Sequence, residues 1–197
     1  MNRLCVALVA ALLASCANVP SDYKFDPTSN DGLVVGSITY DSSLGLYSLV
    51  VISPGSSKLL KMSVGYSQWP PLGPLTDDAL KARGGTYAIA APAGSYRIVG
   101  WEIRQGAKIT RSAAPIEVPF TVEKGRASYL GNLHFSEDWE VSLRDRSSRD
   151  LPVLRARYTV LEQAPLQFTI AKDMNIEKLG GEYRSQFQLP IFIPIAR

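Results

Sequence analysis

Cysteine and histidine, which supply most thiol and zinc chemistry, are scarce in this chain of 197 residues. The two cysteines, Cys5 and Cys16, both lie near the N-terminus, and His134 is the single histidine. If the segment before Cys16 is removed and Cys16 is modified, no thiol remains for catalysis or for a disulfide. One histidine cannot build a histidine-rich metal site. We therefore expect no metal, no cofactor and a fold that its core alone stabilises.

The chain also lacks a strong charge of either sign. Its formal net charge is +3 at pH 7, which is too small to indicate a nucleic-acid partner. No apolar run approaches the roughly 20 residues that a membrane-spanning helix needs. The composition is that of an ordinary globular protein, and the length suits one domain.

A short apolar run stands at the N-terminus behind one positive side chain. Arg3 precedes an uncharged apolar stretch over residues 4–12, which is the pattern of a secretory signal peptide. A buried N-terminal helix is the alternative. It is disfavoured because small residues and then Pro20 follow at once, and because the run shows no amphipathic period.

The end of this run, Leu13-Ala14-Ser15-Cys16, resembles the lipobox of bacterial lipoproteins. The resemblance implies transfer of diacylglycerol to the Cys16 thiol, cleavage between Ser15 and Cys16, and acylation of the new amine. Two or more acyl chains anchor a protein stably in a bilayer. The next residue is Ala17 rather than Asp, which in enteric-type bacteria implies sorting to the outer membrane.

Residues 17–30 are rich in Pro, Ser, Thr and Asn and have little apolar content. They are typical of a flexible tether, which would reach about 20 Å. We therefore predict a signal peptide over residues 1–15, a lipidated tether over 16–31 and a single domain over 32–197. Tyr23 and Phe25 alternate, however, and could instead pack on the edge of the domain.

From residue 32 to about residue 146 the hydrophobic period is two. Seven or eight short β-rich runs, separated by turn signals, predict a mainly β fold, an antiparallel β-sandwich. Two turns with glycine predict hairpins. One joins the runs on either side of Pro92-Ala93-Gly94, and the other joins those on either side of Glu123-Lys124-Gly125.

Two short motifs carry a second resemblance. The turn Pro92-Ala93-Gly94-Ser95-Tyr96 and the stretch from Phe120 to Tyr129 are similar to small sandwich modules of the prealbumin-like or carboxypeptidase-regulatory type, and to uncharacterised envelope lipoproteins. The resemblance covers about residues 86–135. It implies a β-sandwich and no catalytic residues.

After residue 146 the period changes to that of a helix. Four apolar residues spaced three or four apart form one stripe, namely Leu151, Leu154, Tyr158 and Leu161. Asp150 can cap the start, Pro152 is tolerated in a first turn, and Pro165 ends the run. We predict one C-terminal helix over residues 150–162 that packs on the sandwich.

The candidates for catalysis are few. Five acidic residues fall in two clusters that could in principle supply an acid and a base or bind Ca²⁺: Asp77 with Asp78, and Glu137, Asp138 and Glu140. Neither cluster has the spacing of a Ca²⁺ loop, and no Gly-x-Ser-x-Gly motif is present. We expect solvated turn residues or a helix cap, a structural His134, and no catalytic residue.

The densest basic stretch comprises Arg144, Arg146, Arg149, Arg155 and Arg157. Anionic lipid headgroups or glycan phosphates could be its partners. Three acidic residues, Asp145, Asp150 and Glu162, are interleaved with these arginines. They favour the simpler interpretation of a solvated, partly salt-bridged face.

Two apolar segments are candidates for binding a partner protein. The loop that begins Trp69-Pro70-Pro71-Leu72 is stiffened by proline, and stiff apolar loops lose little entropy on binding. The tail over residues 189–195 could add to a partner's sheet. In each case the alternative is that the segment packs on its own domain.

These observations together favour a lipid-anchored, non-enzymatic binding or scaffolding module on the periplasmic face of the outer membrane. Its expected partners are the membrane, through the anchor, and an envelope protein. The alternatives are a hydrolase of envelope polymers that uses Asp/Glu pairs, and a carrier of small apolar ligands with a cavity between its sheets.

Overall fold

The protein is represented by a computed structural model that describes residues 18–41, 45–53, 59–66, 76–169 and 175–187. These residues form two β-sheets and a single α-helix. The prediction of a mainly β fold with one C-terminal helix is confirmed.

Thirteen strands lie within the described residues. In chain order they are β1 (Asp31–Tyr40), β2 (Leu46–Ile52), β3 (Leu59–Gly65), β4 (Thr76–Asp77), β5 (Ala82–Pro92), β6 (Gly94–Gln105), β7 (Lys108–Ser112), β8 (Val118–Val122), β9 (Ala127–Phe135), β10 (Val141–Arg144), β11 (Leu166–Phe168), β12 (Asn175–Ile176) and β13 (Tyr183–Phe187). The α-helix, α1 (Ser147–Arg157), follows β10, and a 3-10 helix (Thr159–Glu162) follows α1.

The first sheet has the strand order β12-β10-β9-β1-β5-β4. Its centre is not antiparallel, because β1 pairs with β9 in parallel and β11 also pairs with β9 in parallel. The second sheet has the order β13-β7-β6-β2-β3, with β8 beside β6, and its pairings are antiparallel. The sandwich is therefore mixed in its first sheet and antiparallel in its second.

Both predicted hairpins are wrong. The strands before and after Pro92-Ala93-Gly94 belong to different sheets, since β5 pairs with β1 whereas β6 pairs with β2. The strands on either side of Glu123-Lys124-Gly125 are also divided, β8 lying in the second sheet and β9 in the first. The glycine turns therefore carry the chain across the sandwich. A local turn signal specifies a reversal of the chain but not the sheet in which the next strand pairs.

The main core fills the space between the two sheets with large side chains. Trp101, Tyr47, Tyr87 and Phe135 are each at most 1% exposed. Trp101 packs edge-on against Phe135, with ring centroids 5.8 Å apart, and its indole N–H donates to the Leu179 carbonyl oxygen over 2.7 Å. This buried hydrogen bond satisfies the one polar atom of the largest core residue.

A β-bulge in β9 decides which of its side chains enter that core. Val35 lies opposite Tyr129, but Ser37 lies opposite Asn132, so β9 has one extra residue at this point. Gly131, with φ +90, takes the left-handed conformation there that glycine tolerates best. As a result Leu130 joins the inter-sheet core, while Tyr129 packs in the second apolar cluster on the outer face of the sheet. Strict alternation through this strand predicts the opposite faces for both residues.

The outer face of the first sheet has two halves. One half is an apolar cluster in which Leu33, Val35 and Tyr129 of the sheet meet Leu154 of α1 and Leu161 of the 3-10 helix. The predicted packing of a helical segment on the sheet is thus confirmed. The other half, described below, is polar.

The helix differs from its predicted bounds at both ends. It begins at Ser147, whose N–H donates to the Asp145 carboxylate over 2.9 Å, so Asp145 accepts the hydrogen bond that we predicted for Asp150. It ends at Arg157 because Tyr158 is extended, and the chain then forms the 3-10 helix. Within the described residues no helix is long and apolar enough to cross a membrane.

The stretch predicted as a tether is docked from Asn18 onward. The Val19 N–H donates to the Ala88 carbonyl oxygen over 2.8 Å, and the Asn18 side chain accepts from the Ala88 N–H over 3.0 Å. Tyr23 and Phe25 pack against the outer apolar cluster. We considered a flexible tether and packing on the edge of the domain. Residues 18–30 pack on the edge of the domain.

We expect Gly36→Ala to destabilise the fold because β1 approaches its neighbours closely there. A Cβ at Gly36 would meet the Tyr87 hydroxyl and lie 2.7 Å from the Gly131 carbonyl oxygen. The expected loss in the free energy of unfolding is about 2 kcal/mol, measured by urea denaturation. Gly100→Ala is the matched control, since its Cβ would lie 3.4 Å from the Ser112 hydroxyl. Equal stabilities of the two variants would contradict the close approach of β1 to its neighbours at Gly36.

Candidate anion-binding pocket

The polar half of the outer face forms an open pocket of about 540 Å³ where β1, β9 and β10 end beside the start of α1. Its polar and charged lining residues are Thr39, Asp41, Lys81, Arg83, Asn132, His134, Arg144, Arg146, Ser148 and Arg149. We call this the cationic pocket. Five of these side chains are lysine or arginine, and one is a carboxylate.

The floor of the pocket follows from the strand pattern and from the bulge. Beyond the bulge, β9 turns Asn132 and His134 to the same outer face as Ser37 and Thr39 of β1. The Asn132 amide donates to the Ser37 hydroxyl over 2.8 Å and to the Thr39 hydroxyl over 3.1 Å. The floor of the pocket is therefore a hydrogen-bonded polar surface. It lies on the same face of the sheet as the apolar cluster against which the helix packs.

A buried carboxylate fixes the helix beside this floor. Asp150 is 0% exposed and accepts from the Ser37 hydroxyl over 2.6 Å and from the Tyr129 hydroxyl over 2.7 Å. The Arg149 guanidinium reaches its second oxygen over 2.7 Å. A buried charge persists only when it is paired and hydrogen-bonded, and Asp150 meets both conditions. We predicted that Asp150 caps the helix. Instead, its carboxylate links the helix to the sheet.

His134 lies at the wall of the pocket with both ring nitrogens engaged. Nδ1 is 3.0 Å from the Thr39 hydroxyl, and Nε2 is 3.3 Å from the Asp41 carboxylate. Burial lowers the pKa of His134 below its ordinary value, Asp41 raises it, and Arg144 and Arg146 lower it again. The imidazole is therefore neutral at pH 7, and the positive charge of the pocket comes from the lysine and the arginines.

Part of that positive charge is paired. Arg149 is bound to Asp150, and Arg144 lies 3.3 Å from Glu177. Among the residues that the structure describes, neither Lys81 nor Arg146 forms an ion pair, and both are exposed. The pocket consequently keeps a positive balance after its internal pairs are counted.

This arrangement is suited to binding an anion. Guanidinium groups present planar pairs of N–H donors that match carboxylate and phosphate oxygens. The first turn of α1, with Ser148 and Arg149, adds the positive end of a helix dipole. Within the described ranges no group of three His, Cys, Asp or Glu side chains could hold a metal ion.

The predicted basic stretch is divided by the fold. Arg144, Arg146 and Arg149 meet at the cationic pocket. Arg157 instead binds Asp77 over 2.8 Å, and Arg155 is exposed elsewhere on the helix. The salt-bridged interpretation therefore describes Arg144, Arg149 and Arg157, although two of these also line the pocket.

Sequence reasoning missed Lys81 and Arg83, which join the pocket from the start of β5. They are far from the arginine stretch along the chain, and no spacing rule connects them to it. The pairing of Thr39 with Gly84 brings them there. No signal in a single sequence could have found this contact.

The predicted acidic residues do not share one site. Asp77 binds Arg157, and its carboxylate also accepts the N–H groups of Ala79 and Leu80, so it caps a turn. Asp78 and Glu137 are exposed. Asp138 and Glu140, however, line a second groove of about 510 Å³.

That second groove, which we call the Trp139 groove, combines acids with aromatic rings. The rings of Trp139 and Tyr183 lie 5.8 Å apart, and Lys108 sits 5.1 Å from the Trp139 ring centroid. Glu140 forms an exposed ion pair with Lys178 over 3.1 Å. Trp139 has φ +66, so the chain is locally strained there.

Several predicted sites lie outside the described residues. They are the lipidation and cleavage residues Cys16 and Ser15, the loop residues Trp69, Pro70, Pro71 and Leu72, and the tail over residues 189–195.

Comparison with known proteins adds little. No protein-family model matches the chain, and no curated protein matches it. One solved structure, a leucine-rich repeat protein from Bacteroides thetaiotaomicron, is similar over 55% of this chain and 14% of its own, at 17% identity and a TM-score of 0.32. A likeness this distant carries no argument about the fold or the function.

We expect the imidazole of His134 to titrate with a midpoint below 6.5, because burial disfavours its charged form. The chain has one histidine, so its proton NMR signal is identified without further assignment. Asp41→Asn should lower the midpoint further, and Arg144→Gln should raise it. Since the unfolded chain binds this proton first, the contribution of His134 to stability is lost as pH falls from about 6.5 toward the folded pKa. A midpoint above 6.5 would refute this description of the pocket wall.

Proposed function

We propose that this protein is a lipid-anchored, non-enzymatic binding or scaffolding module of the bacterial envelope, held on the periplasmic face of the outer membrane. The observation that carries the proposal is the cationic pocket. It is open, it is built on a rigid sheet and helix, and its hydrogen-bonded floor offers charge and donors for recognition. The one imidazole at its wall, His134, has its ring nitrogens engaged by Thr39 and Asp41.

The membrane anchor rests on the sequence of the N-terminus. The apolar run ends in Leu13-Ala14-Ser15-Cys16, and the docked chain begins two residues after Cys16. An acylated Cys16 would hold the sandwich close to the bilayer surface. The membrane is thus the first partner that we propose. An envelope protein bound by the loop at Trp69, Pro70, Pro71 and Leu72 is the second.

Cys16→Ser should abolish incorporation of labelled palmitate and leave an uncleaved precursor, because the thiol is the proposed acceptor of diacylglycerol. The measurement is metabolic labelling followed by gel mobility and mass of the N-terminus. Cys5→Ser is the matched control, since Cys5 lies within the proposed signal peptide and should leave processing unchanged. Labelling that persists in the Cys16→Ser variant would refute the proposed lipidation of Cys16.

A second candidate function, hydrolysis of envelope polymers, is favoured by one observation. The Trp139 groove brings Asp138 and Glu140 together with two aromatic rings, and aromatic faces suit sugar rings. The acids themselves oppose this function. A general acid at neutral pH needs burial or a like charge to raise its pKa, whereas Glu140 is 57% exposed and paired with Lys178.

The carrier of small apolar ligands has weaker support. It needs a cavity between the sheets, and there the structure places Trp101, Tyr47, Tyr87 and Phe135 as a packed core.

We expect no release of reducing ends from purified peptidoglycan by the protein, and no difference from the double variant Asp138→Asn/Glu140→Gln. Both changes preserve side-chain size and remove the charge that acid–base catalysis would need. The assay should run across pH 5 to 8 with a known glycosidase as positive control. Turnover that the double variant lacks would favour the hydrolase over the binding module.

A further inference from the structure

We propose that the cationic pocket binds the phosphate of an anionic phospholipid headgroup, taken from the same bilayer that holds the anchor. This inference rests on the proposed lipidation of Cys16. It adds to that proposal an orientation for the protein and a ligand for the pocket.

The place where the docked chain begins gives the first part of the argument. Asn18 and Val19 hydrogen-bond to Ala88 on the free side of β5. Cys16 lies two residues earlier, and two residues of chain span at most about 7 Å. The acyl chains would therefore leave the protein beside Ala88.

The strand register then gives the distance from the anchor to the pocket. Ala88 lies opposite Val35 of β1, and Thr39 in the pocket floor is four residues further along β1. At about 3.3 Å per residue this is roughly 13 Å. Val35 and Thr39 point to the same outer face, because side chains alternate along a strand. Two strand spacings of about 4.8 Å and the two residues to Cys16 add to this length, so the anchor would lie within roughly 30 Å of the pocket.

The chemistry of the pocket favours a phosphate group. Lys81 and Arg146 are exposed and, in the described part of the chain, have no ion-pair partner. Arg146 lies immediately before α1 and Ser148 is in its first turn. A lysine, an arginine fork, a hydroxyl and a helix N-terminus converge on one opening. Each of these four groups is a common partner of phosphate oxygens.

The surface around the pocket is compatible with contact to a bilayer. Lys24 and Arg155, both exposed, lie on the segments that cover the same face. Such cations are attracted to anionic lipid at long range. They lie outside the pocket, and this makes them the natural controls for a specific site.

The test uses the lipidated protein in nanodiscs of phosphatidylcholine with graded fractions of phosphatidylglycerol. Hydrogen–deuterium exchange is followed in the peptides that contain the first turn of α1 and the start of β5. We expect slower exchange of these amides as the fraction of phosphatidylglycerol rises. Lys81→Gln/Arg146→Gln should weaken the affinity for phosphatidylglycerol about tenfold for each cation removed, because each loses a charge-assisted hydrogen bond to the phosphate. Lys24→Gln/Arg155→Gln, which removes the same two charges, should leave most of it.

The possible outcomes separate the proposals. An equal effect of the two double variants would show diffuse attraction and overturn the pocket as a site. Protection by soluble glycerol phosphate in pure phosphatidylcholine discs, with none from phosphatidylglycerol, would overturn the bilayer as the source of the ligand. Protein that stays on the discs but shows no protection refutes this inference and leaves the anchor standing. Protein that leaves the discs during size-exclusion chromatography refutes the anchor itself.

Discussion

The buried carboxylate of Asp150 is the interaction on which the rest of the outer face depends. Transferring such a charge into the interior costs several kcal/mol, and the Ser37 and Tyr129 hydroxyls and the Arg149 guanidinium offset this cost. The three partners come from β1, β9 and α1. One side chain thereby sets the position of the helix on the sheet, and with it the places of Arg146, Ser148 and Arg149.

The bulge at Gly131 is the second constraint, and it acts on the other wall of the pocket. Without the extra residue in β9, Asn132 and His134 would point between the sheets, into an apolar core where burying a polar group is costly. With it, Leu130 and Leu133 both enter the core, while the polar pair faces outward. One glycine thus allows a single strand to contribute side chains to the outer apolar cluster, to the core between the sheets and to the cationic pocket.

The sequence was informative about local structure and weak about long-range pairing. Period-two patterns located most of the longer strands, and the apolar stripe that includes Leu154 located a helix. Both predictions succeeded because an element buried on one face has apolar residues at a regular spacing. The parallel pairing of β1 with β9 left no such trace, nor did the division of both glycine turns between two sheets. The arginine stretch contains three of the five lysine and arginine residues that line the pocket. Lys81 and Arg83 reach it through the register of β5, which the residues themselves do not reveal.

The docking of Asn18 and Val19 against β5 has a consequence for affinity. A long flexible tether would dilute the domain through a large volume above the bilayer. If Cys16 is acylated as proposed, a linker of two residues would instead confine the domain to a thin layer. For a domain so confined, the effective concentration of headgroups reaches the millimolar range or above. A site with a dissociation constant near 1 mM, about 4 kcal/mol of binding free energy, would then be about half occupied or more. In the proposed anchored protein, weak intrinsic binding and a short linker would together suffice to orient the domain relative to the bilayer.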